Sequence, residues 1–69
     1  MIDLQIVRQR MIAYLGDACG DDLYSTEREI GQHMIAICEG VIAGDLRPDA
    51  VMAVQMFAWA RARGLVEDD

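Results

Sequence analysis

The feature that most constrains this 69-residue sequence is a run of eleven residues that is apolar at every position but one. Residues 50 to 60 read AVMAVQMFAWA, in which Gln55 is the only polar side chain. A helix at the edge of a small domain needs one apolar face, whereas a helix that is apolar all round is normally covered on every side. A chain of this length has little else with which to cover it. We therefore expect part of this surface to be buried by another polypeptide.

The length of the chain places it at the lower limit of independent folding. A core built from so few residues barely offsets the conformational entropy that is lost on folding, and small proteins add disulfides, metal ions or oligomerisation. Cys19 and Cys38 are isolated cysteines and His33 is the only histidine, so neither a disulfide framework nor a zinc site is indicated. Oligomerisation is the remaining source of added stability, and we expect a homodimer.

The spacing of the apolar residues predicts three helices and no strands. The first helix should span about residues 3–17, with Asp3 in its first turn, where a negative charge suits the positive end of the helix dipole. The third should span about residues 48–63, because proline is favoured at the first helical position and Gly64 can end the helix. Short connections join antiparallel neighbours. The predicted fold is all-α, one domain over residues 1–69, a small antiparallel helical hairpin or three-helix unit completed as a homodimer.

The second helix should span about residues 26–43. Ser25 and Thr26 both suit the N-cap position, and Thr26 with Glu29 three residues later forms a capping box, while Gly44 suits the position after the last helical residue. Gly31 and Gly40 lie inside the helix, where we expect another helix to approach closely. The core of the domain and of the dimer is expected from apolar residues that recur at helical spacing, which are Leu4, Val7, Met11, Ile30, Met34, Ile37, Val41 and Phe57.

No set of residues indicates catalysis, a metal site or a cofactor. A nucleophilic triad needs a base beside the nucleophile, and Cys38 lies five residues after His33, on a divergent face of the helix. The acidic pairs, such as Asp21 with Asp22, lack the spaced oxygen ligands of a calcium loop. We therefore expect a non-enzymatic protein in which the cysteine belongs to the core and the histidine to the rim.

The charge of the chain disfavours a nucleic-acid-binding protein. The net charge is −6 and there is no lysine, whereas a phosphate backbone is bound by clustered cations. A helix-turn-helix regulator, which is the alternative, needs polar side chains at the start of its recognition helix, where this chain has AVMAV. No basic leader and no apolar segment of bilayer length is present, so we expect a cytoplasmic protein that does not bind membranes.

The expected binding surface lies on the third helix. Met52, Met56, Trp59 and Arg63 follow one another at intervals of three or four residues, and we call this set the Met52–Arg63 stripe. Methionine adapts its shape to different partners, and tryptophan and arginine are enriched in the residues that dominate binding energy. The sequence therefore predicts either that this stripe belongs to the core of an intertwined homodimer or that it binds a different partner protein, and the two interpretations are compatible.

The chain resembles the small phage-encoded inhibitors of bacterial regulators. The resemblance lies in its length, its helical layout from Leu4 to Arg63, its acidity and the lack of any catalytic or metal-binding motif. The quorum-sensing anti-activators of temperate phages are the members it resembles in particular. The resemblance implies a dimeric helical protein that binds a LuxR-type transcriptional activator of the bacterial host and prevents its action, and that can also block a type IV pilus assembly ATPase. Phage CRISPR inhibitors share the same physical profile and stay open as an alternative. No functional residue is transferred, because the resemblance includes no motif.

Overall fold

A computed structural model describes residues 2–20 and 25–66, and over these residues the chain forms three α-helices and no strands. Helix α1 spans Leu4–Cys19, helix α2 spans Thr26–Ala43 and helix α3 spans Val51–Ala62. Helix α2 packs against both of the others. The late residue Glu39 of α2 pairs with Arg8 near the start of α1, and the early residue Glu27 pairs with Arg63 beyond the end of α3. Both hairpins are therefore antiparallel, and the all-helical prediction is confirmed for the described residues.

Helix α1 begins one residue later and ends two residues later than predicted. Asp3 is the N-cap rather than a first-turn residue, and its Oδ1 accepts hydrogen bonds from the backbone N–H groups of Gln5 at 3.0 Å and Ile6 at 3.4 Å. Gly16 continues the helix, since an internal glycine costs only about 1 kcal/mol against alanine, and the preceding Leu15 is buried against α2 at Gly31. Gly20 caps the end with a φ of 54°. The acidic pair Asp21 and Asp22 lies outside the described residues.

Helix α2 has the predicted range, but the prediction of a capping box formed by Thr26 and Glu29 is wrong. Ser25 is the N-cap, and its Oγ accepts a hydrogen bond from the backbone N–H of Arg28 at 3.3 Å. The third helical residue is therefore Arg28 and not Glu29, so no glutamate stands where a capping box needs it. At the other end Gly44 has a φ of 83° and donates its N–H to carbonyl groups of the last turn, as predicted for a terminating glycine.

Helix α3 begins at Val51, three residues later than predicted. Pro48 and Asp49 lie instead in the turn before it, which is closed by a 3.1 Å hydrogen bond from the Ala50 N–H to the Arg47 carbonyl. The ring of proline fixes a φ that suits both the first residue of a helix and the second residue of a turn, so this signal does not separate the two. The helix ends before Arg63, and Gly64 follows with a φ of 72°.

The core lies between the three helices and agrees with most of the predicted core residues. Val7, Met11, Ile37 and Val41 are buried, and Leu4, Met34 and Phe57 pack against the core while partly exposed. Ile30 is the exception, with 39% of its surface exposed. Cys38 is buried, as expected of a core cysteine, and residues not predicted for the core complete the buried set: Leu15, Ala53, Met56, Ala60 and Val66.

Gly31, which follows Ile30, lies where α1 and α2 approach closely. A Cβ atom placed on Gly31 would lie only 2.4 Å from Cδ2 of Leu15, so α1 and α2 approach closely at this glycine. Successive helical residues are about 100° apart, and Ile30 is therefore turned away from that contact. The expected close approach of a helix is confirmed at Gly31. It is wrong at Gly40, where the nearest atom is Cβ of Leu46 in the following connection, at 3.6 Å.

Candidate functional site

The predicted Met52–Arg63 stripe does not form one surface. Met56 is completely buried, Trp59 and Arg63 are half-buried, and Met52 alone is exposed. Helix α3 packs with the side that carries Ala53, Met56 and Ala60, which places Met56 in the core. Met56 is therefore wrong as a binding residue, because no partner reaches it without unfolding the domain.

Trp59 and Arg63 instead belong to a cluster that links all three helices, together with Tyr14 of α1 and Glu27 of α2. Arg63 Nη2 lies 2.9 Å from Glu27 Oε1, and Arg63 Nε donates to Glu27 Oε2 at 3.3 Å. The guanidinium carbon lies 4.3 Å from the centroid of the Trp59 ring, in a cation–π contact. The Trp59 and Tyr14 rings meet edge to face with centroids 5.9 Å apart, and the Tyr14 hydroxyl donates to Glu27 at 3.1 Å. We call these four residues the clamp cluster.

The clamp cluster favours the ionised form of Glu27. Hydrogen bonding from Arg63 lowers the pKa of Glu27, partial burial opposes that effect, and the Tyr14 hydroxyl and the charge of Arg63 lower the pKa further. The buried Nε1 of Trp59 has no acceptor in full hydrogen-bonding geometry, although it lies close enough to the carboxylate to contribute to the lower pKa. The Glu27 carboxylate therefore accepts hydrogen bonds from Tyr14 and Arg63, and these two side chains contact the ring of Trp59.

We predict a pH-dependent stability from Glu27. The pKa of Glu27 in the folded chain lies below the ordinary value of 4.5, so the stability that its carboxylate contributes is fully present above pH 4.5. That stability is lost as the pH falls through the lower, folded-state pKa. Glu27→Gln should therefore lower the free energy of unfolding at pH 7, and its difference from wild type should shrink between pH 4.5 and more acidic conditions. Urea unfolding across this range measures both.

Glu39→Gln is the matched control for that prediction. Glu39 also pairs with an arginine, Arg8, but the two side chains are 51% and 37% exposed, and exposed ion pairs contribute little to stability. Its substitution should change the unfolding free energy much less at pH 7. The role given to the clamp cluster would be contradicted if both variants lost the same unfolding free energy at pH 7 and if the difference between Glu27→Gln and wild type did not shrink at acidic pH.

Exposed apolar side chains concentrate on the side of α3 that points away from the core. Val51 is 73% exposed and Val54 is 55% exposed, and Ala58 is exposed four residues after Val54. These three residues recur at helical spacing on one side, and we call them the outer face of α3. Sequence periodicity could not single out this face, because nearly every position of the helix is apolar.

A groove of about 430 Å³ runs beside α1, and we call it the α1 groove. Its lining residues are Arg10, Ala13, Tyr14, Asp17, Ala18 and Leu65. The groove therefore joins an apolar floor to one arginine and one aspartate. Ile6, which is 44% exposed, lies one turn before Arg10 on the same side of the helix and extends the apolar surface. Tyr14 belongs to both the groove and the clamp cluster, so its ring is held in place before any partner binds.

The two cysteines and the histidine do not form a reactive site. Cys38 is buried, its Sγ lies 3.5 Å from the carbonyl oxygen of Leu4, and burial raises the pKa of its thiol. Cys19 is half-buried and accepts a hydrogen bond from the Ser25 hydroxyl at 3.4 Å. His33 is exposed on α2. In residues 2–20 and 25–66, no three histidine, cysteine or acidic side chains are grouped to hold a metal ion.

We predict that the two thiols differ strongly in reactivity. A disulfide reagent added to the native protein at pH 8 should modify Cys19 and leave Cys38 unmodified, because the reactive form is the thiolate and Cys38 is both buried and hard to ionise. Unfolding in guanidinium should make the two thiols react alike. Mass spectrometry of the modified protein counts the labels, and equal native rates at the two positions would contradict the packing of Cys38.

Compared with known proteins, the chain matches no family, no curated protein and no solved structure. Among the helices of the described residues, none combines the length and the apolar character that crossing a lipid bilayer requires.

Proposed function

We propose that the chain is a non-enzymatic inhibitor that binds a bacterial host protein through the α1 groove. The observation that supports this most is the construction of the groove, in which Ala13, Ala18 and Leu65 give an apolar surface between Arg10 and Asp17. Protein interfaces commonly combine an apolar centre with a polar rim. An apolar side chain of the target, presented by a helix or a loop, fills such a groove while its polar neighbours meet the two charged residues.

Tyr14 is the anchor of this surface. Its hydroxyl donates to Glu27 and its ring contacts the edge of Trp59, so its position is fixed in the unbound protein. A side chain that is already ordered loses less conformational entropy on binding, and tyrosine is enriched among residues that dominate binding energy. Trp59 and Arg63 thus support the binding surface from beneath, rather than contacting the target themselves.

The charge of the chain favours a target with a basic surface. The net charge is −6, and long-range attraction of opposite charges speeds association and helps to select the partner. Transcriptional regulators carry basic surfaces where they bind DNA. Together with the resemblance to phage anti-activators, this leads us to propose a LuxR-type activator as the target, with a pilus assembly ATPase as a second host target.

We also propose that the working form is a homodimer. The described part of the chain buries only a small core, while Val51, Val54 and Met52 of α3 are left exposed to water. Burial of apolar surface against a second copy would add the stability that a chain of this size lacks.

The proposal is tested with a purified LuxR-type activator and a fluorescent duplex of its operator. Wild-type protein should release the activator from the operator at stoichiometric concentrations. Ala13→Glu should weaken this inhibition tenfold or more by placing a charge in the groove, which is a loss of about 1.4 kcal/mol. Ala36→Glu makes the same change at an exposed alanine of α2 and should inhibit like wild type.

Three results of this assay would speak against the proposal. Inhibition by Ala13→Glu at wild-type strength would show that the groove is not the binding surface. A wild-type protein that leaves the operator complex intact would exclude this target class. Salt-sensitive retention of the labelled duplex by the chain alone would favour the alternative of a helix-turn-helix-like regulator, because such binding depends on phosphate contacts.

A further inference from the structure

We infer that Glu27 of α2 is a positioning residue of the α1 groove, which bonds to side chains on both sides of the groove without lining it. The inference rests on the proposed function and adds a residue on which target binding depends indirectly. Of the described residues that line the groove, five belong to α1, and Leu65 follows the end of α3. The groove is therefore a gap between α1 and the segment after α3, and its shape depends on what holds the two together.

The two sides of the groove are joined through α2. Helices α1 and α3 each pack against α2 and contact each other much less. On the α1 side, the Tyr14 hydroxyl donates to Oε2 of Glu27 at 3.1 Å. On the α3 side, Arg63 Nη2 donates to the same oxygen at 3.0 Å and to Oε1 at 2.9 Å. One carboxylate therefore accepts hydrogen bonds from both sides of the groove.

The position of Leu65 depends on the residues before and after it. Its backbone N–H donates to the carbonyl oxygen of Ala60 at 2.9 Å, which folds the segment back onto the end of α3. Val66, the next residue, is buried in the core. Arg63, two residues earlier, pairs with Glu27 of α2. The segment is thus attached at one end by apolar packing and at the other by an ion pair, and we expect loss of the ion pair to let Leu65 move relative to α1.

The geometry of the Arg63–Glu27 pair suits a positioning role. The two side chains are 26% and 32% exposed, whereas Arg8 and Glu39, which form the other ion pair of α2, are 37% and 51% exposed. Arg63 also donates through both Nε and Nη2, and such two-point contacts fix the relative orientation of the two groups. A surface that is ordered before binding loses less conformational entropy on binding. Loss of the Glu27 carboxylate should therefore weaken target binding as well as folding.

Hydrogen exchange of backbone amides tests the positioning role without a target. Glu27→Met removes the acceptor oxygens and keeps a long side chain. In this variant the Leu65 amide should exchange about tenfold faster relative to the amide of the buried Met11, because a local opening affects the segment after α3 and not the core. Glu39→Met makes the same change at the more exposed pair with Arg8 and should leave this ratio unchanged. NMR spectroscopy measures both rates, and a purely structural role would raise them alike.

The operator assay tests whether this positioning matters for the target. Glu27→Met should weaken inhibition about three- to tenfold relative to Glu39→Met, which is the range expected when a side chain must be ordered on binding. Tyr14→Phe removes one hydrogen bond to the carboxylate and keeps the ring in the groove, so it should weaken inhibition less. The variant with both Glu27→Met and Tyr14→Phe should inhibit as Glu27→Met does, because the two side chains act through one contact.

Two outcomes overturn the inference. A rise in Leu65 exchange no greater than the rise in Met11 exchange would show that Glu27 contributes to overall stability alone. Inhibition by Glu27→Met at the strength of Glu39→Met would show that target binding does not depend on the carboxylate.

Two further features keep the result decisive. If Glu27→Met does not fold, Glu27→Gln, which keeps an acceptor and loses the charge, should give smaller changes in the same direction, and unchanged exchange and inhibition in that variant would contradict the inference. The exchange ratio needs no target. A wild-type protein that leaves the operator complex intact would therefore overturn the proposed function, while the exchange ratio would still decide whether Glu27 positions the groove.

Discussion

Replacement of Met56 by alanine should lower the free energy of unfolding by about 2–5 kcal/mol. Met56 is completely buried in the core, and its truncation removes apolar contacts and leaves a cavity that its neighbours fill only in part. Domains of this kind have a total stability of about 5 kcal/mol or somewhat more, so the variant should be largely unfolded at moderate urea concentrations. Urea titration followed by circular dichroism measures the change.

Met52→Ala is the matched control, since it makes the same substitution one turn earlier on the same helix. Met52 is 45% exposed, so its truncation should cost less than about 1 kcal/mol. The two methionines belong to one stripe in the sequence but to two environments in the fold. Similar losses of stability for the two variants would mean that α3 packs with a different side than the one described.

Replacement of Gly31 by alanine should lower the unfolding free energy by about 1–3 kcal/mol. In a helix interior alanine is favoured over glycine by about 1 kcal/mol, so backbone propensity alone predicts the opposite sign. The new Cβ would lie 2.4 Å from Cδ2 and 2.9 Å from Cγ of Leu15. Leu15 is buried and cannot swing away freely, so either the side chain or the helix must shift. Overpacking of this kind costs more than the propensity gains.

Gly16→Ala provides the contrast for Gly31→Ala. Gly16 lies inside α1, and beyond its chain neighbours and the backbone of its own helix no heavy atom lies within 4 Å of the position that a Cβ would take. Its replacement should therefore raise the unfolding free energy by about 0.5–1 kcal/mol. Thermal or urea unfolding of the two variants should give shifts of opposite sign. A stabilising effect at both positions would show that α1 and α2 do not approach closely at Gly31.

The sequence predicted local features of the helices better than it predicted their outward faces. The range of α2 was predictable because Gly44 can take a positive φ at little cost and Ser25 is a good N-cap. The start of α3 was not, because Pro48 suits a turn as well as a first helical residue. The caps of α2 and the proline before α3 are both local signals that depend on a few neighbouring residues. Where two local structures favour the same residue, as a turn and a helix start both favour proline, the sequence does not decide between them.

The candidate site was less predictable, because its contacts join residues that are far apart in the chain. Arg63 meets Glu27 across 36 residues, and Tyr14 meets the same carboxylate across 13. Nothing in the spacing of these residues indicates that they meet. On α3 the apolar pattern was so nearly uniform that it could not separate Met56, which is buried, from Val54, which is exposed. The surplus of apolar surface was predictable, but its position was not.

The two proposed surfaces would bind different partners. The α1 groove would bind the target, and the exposed apolar side chains of α3 would bind a second copy in the proposed homodimer. Each copy of a dimer would then present its own groove, so that one dimer can engage a target that is itself dimeric. Two linked binding events raise the apparent affinity without any new contact, provided that the spacing of the two grooves suits the target.

Sedimentation equilibrium of the wild-type protein tests most directly whether the apolar surface of this chain is completed by another polypeptide. From micromolar to millimolar concentration, the mass should rise from 7.7 kDa toward twice that value, and Val54→Asp should stay near 7.7 kDa throughout. A wild-type protein that remains folded at 7.7 kDa over the whole range would contradict the account.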